Sequence, residues 1–148
     1  MAHIRAQIRT ALAALFSADV PGSFASVETA RAHRIDRDAL PVLTIGWDQE
    51  QAQQGVGGAN ARVVRVTQWT LAIHCSGTDS IADDADALAL LVEQRIGADP
   101  TLSGAVAHAR LTGSSFALSG ETEQRSAVLA LTVETMVVTA ASDPETRV

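Results

Sequence analysis

The sequence contains no lysine and no tyrosine, and it has one cysteine among 148 residues. All 11 basic side chains are arginines, and 17 acidic side chains bring the formal net charge to −6. Aromatic residues make up 3% of the chain. Proteins that hold nucleic acid need cationic side chains against the phosphates, and many also stack aromatic rings on the bases. The composition therefore argues against nucleic-acid binding as the function.

Other absences limit where the protein acts. A single thiol, Cys75, excludes a disulfide within the chain. No stretch approaches the ~18 apolar residues that span a bilayer, and the first residues lack the apolar core of a signal peptide. We therefore expect a cytoplasmic protein that makes no contact with a membrane.

Two segments have the apolar spacing of amphipathic helices. The first covers 3–17, and the second starts at Asp79 or Ser80 and is ended by Gly97 and Pro100. Asp83 and Asp84 lie in the first turn of the second helix, where the helix dipole favours negative charge. The predicted buried stripes are Ile4, Ile8, Leu12, Leu15 and Phe16 in the first helix, and Ile81, Ala85, Leu88, Leu91, Val92 and Ile96 in the second.

Strands are predicted before, between and after these helices. They cover 26–33 through Val27, 41–47, 62–76, 107–118 with an interruption at Gly113, and 127–138. In the long strand over 62–76, the phase of the apolar residues changes near Thr67 and Gln68, which predicts a bulge or bend there. Residues 48–61 are rich in glutamine and glycine and are predicted to form a polar, flexible connector.

These elements predict an α+β fold in one domain over 1–139. The strands cluster on either side of a helix, which favours a mixed, mainly antiparallel sheet of 4–5 strands with two helices packed on one face. Residues 140–148 are predicted to be a flexible C-terminal tail.

No group of residues has the pattern of a catalytic, cofactor or metal site. The four histidines are scattered, and His74 and Cys75 are strand neighbours whose side chains point to opposite faces. No Lys-Ser or Lys-Thr follows the glycines at 55–58, and Ser114 lies in no nucleophile elbow. We therefore expect no catalytic residues, no cofactor and no metal, and we interpret the protein as a structural subunit, not an enzyme.

One order of elements is more specific. The helix around Asp86–Glu93 is followed by the turn Asp99-Pro100-Thr101-Leu102-Ser103-Gly104, a strand and the final strand over 127–136. Together with the first helix and the strand after Pro41, this resembles the tail terminator family of long-tailed phages, also called tail completion or minor tail protein U-like. The resemblance covers most of 3–139.

The resemblance implies a subunit of a ring, typically a hexamer, that caps the completed tail tube. Such a ring ends tube polymerisation and provides the surface that joins the head. The implied partners are further copies of the chain, the tail tube protein and the head–tail connector protein, while DNA passes through the lumen without specific binding. The implied location is the host cytoplasm during assembly and then the virion tail. We expect acidic side chains to line the lumen, because like charge repels phosphate.

The polar connector is the predicted interface, through order gained against a neighbouring subunit or the tube; a merely mobile hairpin loop is the alternative. The predicted interface residues are Gln49, Gln51, Gln53, Gln54, Gly55, Gly57, Gly58, Arg62 and Arg65. Trp69 is also a candidate, although burial in the core explains it better. Two alternative functions stay open: another head–tail connector or tail-completion subunit, and a small ligand-binding or enzymatic α/β domain.

Overall fold

A computed structural model describes residues 2–29, 40–77, 80–121 and 124–148. Over these ranges the chain forms two α-helices and six β-strands. In chain order they are α1 (Ile4–Leu15), β1 (Ser26–Glu28), β2 (Val42–Gln54), β3 (Arg62–Gly77), α2 (Ile81–Ala98), β4 (His108–Glu121), β5 (Gln124–Ala140) and β6 (Asp143–Arg147). No helix in the described ranges is long and apolar enough to cross a membrane.

The strands form one sheet in the order β1-β2-β3-β5-β4, with β6 paired to the C-terminal end of β5. Only the short β1–β2 pair is parallel among the described strands. The predicted α+β fold with a mixed, mainly antiparallel sheet is therefore confirmed. The sheet has one strand more than the predicted range because β6 lies within the predicted tail. The predicted strand over 26–33 is seen as Ser26–Glu28, and its part after residue 29 lies outside the described residues.

The core lies between one face of the sheet and the two helices. Alternate residues of β3 and β5 are buried on this face, which we call the helix face. They include Trp69, Leu71, Ile73, Cys75, Leu129, Leu131, Val133 and Val137. The buried indole Nε1 of Trp69 donates a hydrogen bond to Thr135 Oγ1 at 2.9 Å. The opposite face carries no helix among the described residues, and we call it the helix-free face.

Both helices pack largely as predicted. Ile4, Ile8, Leu12 and Phe16 are buried along α1, while Leu15 is partly buried. Along α2 the buried residues are Ile81, Ala85, Ala89, Val92 and Ile96, with Leu88 and Leu91 partly buried beside them. Ser80 occupies the position before α2, but its hydroxyl bonds to Asp84 and not to the backbone. Asp79 lies outside the described residues.

The prediction of a flexible connector over 48–61 is wrong. Strand β2 runs to Gln54 and pairs with β3 to its end, so that 55–61 forms only the tip of a long hairpin. Backbone bonds hold this tip: Gly55 N–H donates to Arg62 O, and Ala141 N–H donates to Ala61 O at 2.8 Å. Strand pairing satisfies the backbone groups of the glutamines whatever their side chains are, and composition does not reveal that pairing.

The bulge also lies in another strand than predicted. Strand β3 pairs with β5 in one unbroken register from Arg62 to Gly77. The register shift occurs in β2 at Asp48, directly across from Gln68 and Trp69. The observed bulge therefore lies next to the predicted position, but the extra residue belongs to β2 and not to β3. The predicted interruption near Gly113 is confirmed, since β4 shifts register between Leu111 and Gly113.

The predicted flexible tail forms strand β6 over most of its length. Thr139 pairs with Arg147, and Ala140 pairs with Asp143. Gln7 Nε2 donates to the Glu145 carbonyl at 2.5 Å, which joins the strand to α1. The segment contains no apolar alternation, so only its backbone pairing shows that it belongs to the sheet.

Candidate assembly interface

The described sheet ends in the long strand β4 on one side and in the short strand β1, next to the long strand β2, on the other. On one side, no other described strand pairs along the outside of β4, and we call His108–Glu121 the β4 edge. On the other side, β1 covers only Val42–Thr44 of β2. The rest of β2 has no outer partner within the described ranges, and we call Ile45–Gln54 the β2 edge. Backbone N–H and C=O groups of such edges are available to another strand.

Large apolar side chains lie exposed on the β4 edge. Leu111, Phe116 and Leu118 are 38%, 46% and 48% exposed. Their partners in β5 are Val133, Leu129 and Ala127, which are all buried on the helix face. The three side chains therefore extend the core face beyond the area that the helices cover. The register shift in β4 between Leu111 and Gly113 places Leu111 on the same face as Phe116 and Leu118.

The β2 edge also presents a large apolar side chain on the helix face. Trp47 is 41% exposed and pairs with the buried Trp69. The guanidinium carbon of Arg5 lies 4.8 Å from the centre of a Trp47 ring, in cation–π geometry. Because of the bulge at Asp48, both Trp47 and Glu50 lie on this face, although a regular strand would put them on opposite faces.

Glu50 joins α1, β2 and β3 between the bulge and the tip of the hairpin. Its Oε2 lies 3.0 Å from Arg5 Nη1, and its Oε1 lies 2.8 Å from Arg65 Nη1. Thr67 Oγ1 adds a bond of 3.4 Å to Oε2. The Glu50 side chain is only 7% exposed. Burial alone raises the pKa of this carboxyl, but the bonds and charges of Arg5 and Arg65 outweigh burial and bring its pKa below the usual value.

His3 lies beside this cluster and caps α1. Its Nδ1 accepts the backbone N–H of Arg5 at 3.1 Å, and only a ring unprotonated at Nδ1 can accept this bond. Burial lowers the pKa of His3, and the positive charges of Arg5 and Arg65 lower it further. The neutral imidazole is therefore the form that fits the folded chain.

The predicted interface residues are divided between the two faces and the hairpin tip. Gln49, Gln51 and Gln53 form a row of exposed side chains on the helix-free face, where Arg62 is also exposed. Gln54, Gly55, Gly57 and Gly58 are exposed at or beside the tip. Arg65 lies on the helix face and is held by Glu50 and by Thr139 Oγ1 at 3.1 Å. No partner chain tests these residues, and their interface role stays a prediction.

Trp69 is fully buried in the core, as the alternative interpretation held. The exposed apolar residues Trp47, Leu111, Phe116 and Leu118 were not among the predicted interface residues. Phe116 and Leu118 alternate with small residues in a predicted strand, which was a usable signal. Their exposure, however, depends on β4 being the last strand of the sheet, and the sequence does not state the strand order.

The residues considered for chemistry lie apart. Cys75 is buried on the helix face, and His74 is on the opposite face with Nε2 3.1 Å from Thr44 Oγ1. Burial raises the pKa of the Cys75 thiol, and the negative charge of Asp84 raises it further. An activated cysteine has a lowered pKa, so this thiol has the opposite environment. In the part of the chain that the structure describes, no three His, Cys, Asp or Glu residues could hold a metal ion together.

A cavity of about 340 Å³ lies between the start of β2, the end of β3 and α2. Asp84, Ser23, Ser76 and Cys75 are its described polar or thiol-bearing lining residues, beside Leu40, Pro41, Ala87 and Leu88. Among the described lining residues, Asp84 is the carboxylate that acts on the thiol, and its negative charge raises the pKa of Cys75. The cavity offers space for a small molecule but no arrangement that defines a reaction.

No protein-family model and no curated protein matches this chain. Among solved structures, the fold is similar to a chain from the virion of a native gene transfer agent particle. The TM-score is 0.37 and the identity is 12%, over 90% of this chain and 92% of that chain. A similarity this distant assigns no role to any residue of this chain.

Proposed function

We propose that this protein is a structural subunit of a virion tail, and that it forms a ring at the end of the completed tail tube. The ring ends tube polymerisation and presents the surface that joins the head. One observation carries the proposal: the described sheet has the β2 edge on one side and the β4 edge on the other, and on the helix face the first exposes Trp47 and the second exposes Leu111, Phe116 and Leu118.

Two different edges on opposite sides of one body suit assembly in a closed ring. A contact between unlike surfaces repeats around an axis and forms a ring when the rotation closes. A long strand edge with exposed apolar residues is otherwise an aggregation hazard, because any other strand can add to it. Charged residues, especially lysine, commonly protect such edges, and this chain has no lysine at all.

The order of elements also supports a terminator. The described chain runs from a helix through a short strand and a long hairpin to a second helix, a turn and a second long hairpin. In the turn, Asp99 Oδ2 accepts the Ser103 N–H at 2.9 Å, and the side chain of Leu102 is buried. The Asp-Pro-Thr-Leu segment that contributes to the resemblance is thus an ordered turn that places Leu102 in the core, while Pro100 and Thr101 are exposed.

We further propose that the protein has no enzymatic activity, that it binds the tail tube and head–tail connector proteins, and that DNA passes without specific binding. For Cys75, burial and a raised pKa argue against a role as a nucleophile. The hexameric number and the acidic lining of the lumen remain predictions of the resemblance and the net charge. The protein would assemble in the host cytoplasm and remain in the virion tail.

Tube polymerisation tests the proposal directly. Purified full-length protein is added to polymerising tail tube protein of the same virus, and tubes are imaged by negative-stain electron microscopy. We expect a ring on one end of each tube and tubes that stop growing once it is present. An equal amount of the protein denatured by heat is the control.

Tubes that grow as in the control and carry no ring would overturn the proposal. Rings that bind purified connector protein but leave tube growth unchanged would instead identify a neighbouring subunit of the head–tail joint.

A further inference from the structure

We infer that the β4 edge of one subunit pairs with the β2 edge of the next subunit, antiparallel, so that the sheets of neighbouring copies join into one. The inference rests on the proposed function for the ring. The partner, a second copy of this chain, follows from the direction, the apolar residues and the charges of the two edges.

Strand direction fits this pairing. Strand β2 is antiparallel to β3, β3 is antiparallel to β5, and β5 is antiparallel to β4. Strands β2 and β4 therefore run in opposite directions at opposite sides of the sheet. Rotation about an axis roughly along the strands keeps those directions, so the β4 edge of one copy meets the β2 edge of the next in antiparallel orientation.

One exposed apolar residue of each edge lies in the same row of the sheet. Trp47 pairs with Trp69, Trp69 pairs with Val133, and Val133 pairs with Leu111. Trp47 and Leu111 thus occupy the same row on the same face, one at each side, and their exposed faces come together when unlike edges meet. Phe116 lies instead in the row of Leu43, where β1 covers β2.

Charges at the edges do not oppose the contact. From Leu111 to Gly120 the β4 edge has no charged residue. Arg110, just before this stretch, is paired with Glu134 at 2.9 Å. On the β2 edge, Glu50 is paired with two arginines, and Asp48 accepts a hydrogen bond from Thr70. Both carboxylates therefore already have partners inside the subunit.

Lysine substitution on the β4 edge tests the contact. Leu111→Lys should leave the fold intact, because this side chain is 38% exposed. We expect the concentration needed for ring formation to rise at least about tenfold, since the added lysine must be desolvated against Trp47 at the contact. Leu90→Lys is the matched control, because Leu90 is 55% exposed and belongs to α2, not to either edge strand. Light scattering after gel filtration measures the assembly.

Cysteine pairs test which edges meet. Gln49→Cys on the β2 edge is combined with one cysteine on the same, helix-free face of the β4 edge, at His108, Arg110, Gly113, Ser115 or Ala117 in turn. Arg110 lies in the row of Gln49, through Gln68 and Glu134. Mild oxidation should cross-link neighbouring subunits into a ladder of oligomers for the one or two pairs in register. Each single-cysteine variant and the parent protein, which retains Cys75, are the controls.

The outcomes separate this inference from the proposed function. Rings that form with Leu111→Lys as with Leu90→Lys, and that give no ladder with any cysteine pair, would overturn the inference but leave the ring. Dimers from a single β4-edge cysteine alone would show a two-fold β4–β4 contact and would also overturn it. Failure of the unaltered protein to form rings, with or without tubes, would overturn the proposed function itself.

Discussion

Arg65 Nη1 lies 2.8 Å from Glu50 Oε1 and so ties β3 to β2 just beyond the bulge at Asp48. The same carboxylate binds Arg5 at the start of α1. A register shift of one residue would move Glu50 to the helix-free face and break both ion pairs. This pair of residues therefore holds the long hairpin in register with the helix that packs over it.

Glu50→Gln should destabilise the fold. The amide keeps the size of the side chain but leaves two largely covered arginines without their counter-charge. We expect the free energy of unfolding in urea at pH 7 to fall by about 1–3 kcal/mol. Glu134→Gln is the matched control: its partner Arg110 is 66% exposed, and such pairs contribute under about 1 kcal/mol. Equal losses for the two variants would contradict this role of Glu50.

The same substitution should change the response to acid. Because the pKa of Glu50 is lowered in the folded chain, its contribution is complete above the usual value near 4.5 and is lost as the pH falls through the lowered pKa. The difference in unfolding free energy between the unaltered protein and Glu50→Gln should therefore shrink below about pH 4.5. Urea titrations at pH 7, 4.5 and 3 measure it, and a difference that is constant over this range would refute the assignment.

His3→Asn should remove a separate, milder pH dependence. The pKa of His3 is lowered from 6.5 in the folded chain, so the unfolded chain takes up its proton first as the pH falls. The stability that depends on neutral His3 is complete above about pH 6.5 and decreases below it. Asparagine also accepts the Arg5 N–H but does not titrate. We expect the variant to show a flatter stability profile between pH 7 and 5, whereas a parallel profile would exclude His3 as the cause.

Thr135→Val should show the value of the buried indole bond. Valine has nearly the same shape, but it cannot accept the bond from Trp69 Nε1, and both residues are fully buried. We expect a loss of about 1–3 kcal/mol for leaving this donor unsatisfied. Thr132→Val makes the same change on the helix-free face of β5 and should stay within about 0.5 kcal/mol of the unaltered protein. Thermal or urea unfolding that ranks the two variants the other way would be incompatible with the bond.

The Cys75 thiol should react slowly in the folded protein. It is 4% exposed, and burial and Asp84 both raise its pKa, which reduces the reactive thiolate. We expect labelling by a coloured disulfide reagent at pH 8 to be at least about tenfold slower than in urea-unfolded protein. Fast labelling in native buffer would reopen the possibility that this thiol acts as a nucleophile facing the neighbouring cavity.

Much of the secondary structure was predictable because its signal is local. The apolar residues of α2 recur at helical spacing, and those of β5 alternate from Leu129 to Val137, so each segment indicates its own conformation. Polar strands lack that signal. Gln49–Gln54 and Asp143–Arg147 are predicted as flexible because they contain no apolar alternation, although their backbones pair in the sheet.

Local sequence signal was also insufficient to predict the candidate interface. Gln49, Gln51 and Gln53 were recognised as a polar stretch, but not as a row on one face of an edge strand. Trp47 and Phe116 look like ordinary core residues in the sequence. They are exposed because of their places in the sheet.

The sequence by itself determined the two helices, the main apolar strands and hence the α+β class, because the spacing of apolar residues along the chain selects each conformation. The tertiary structure alone decided the site of the bulge, the addition of β6 and the choice of β2 and β4 as edges. Those features depend on backbone hydrogen bonds between segments far apart in the chain, and every residue except proline offers the same backbone groups.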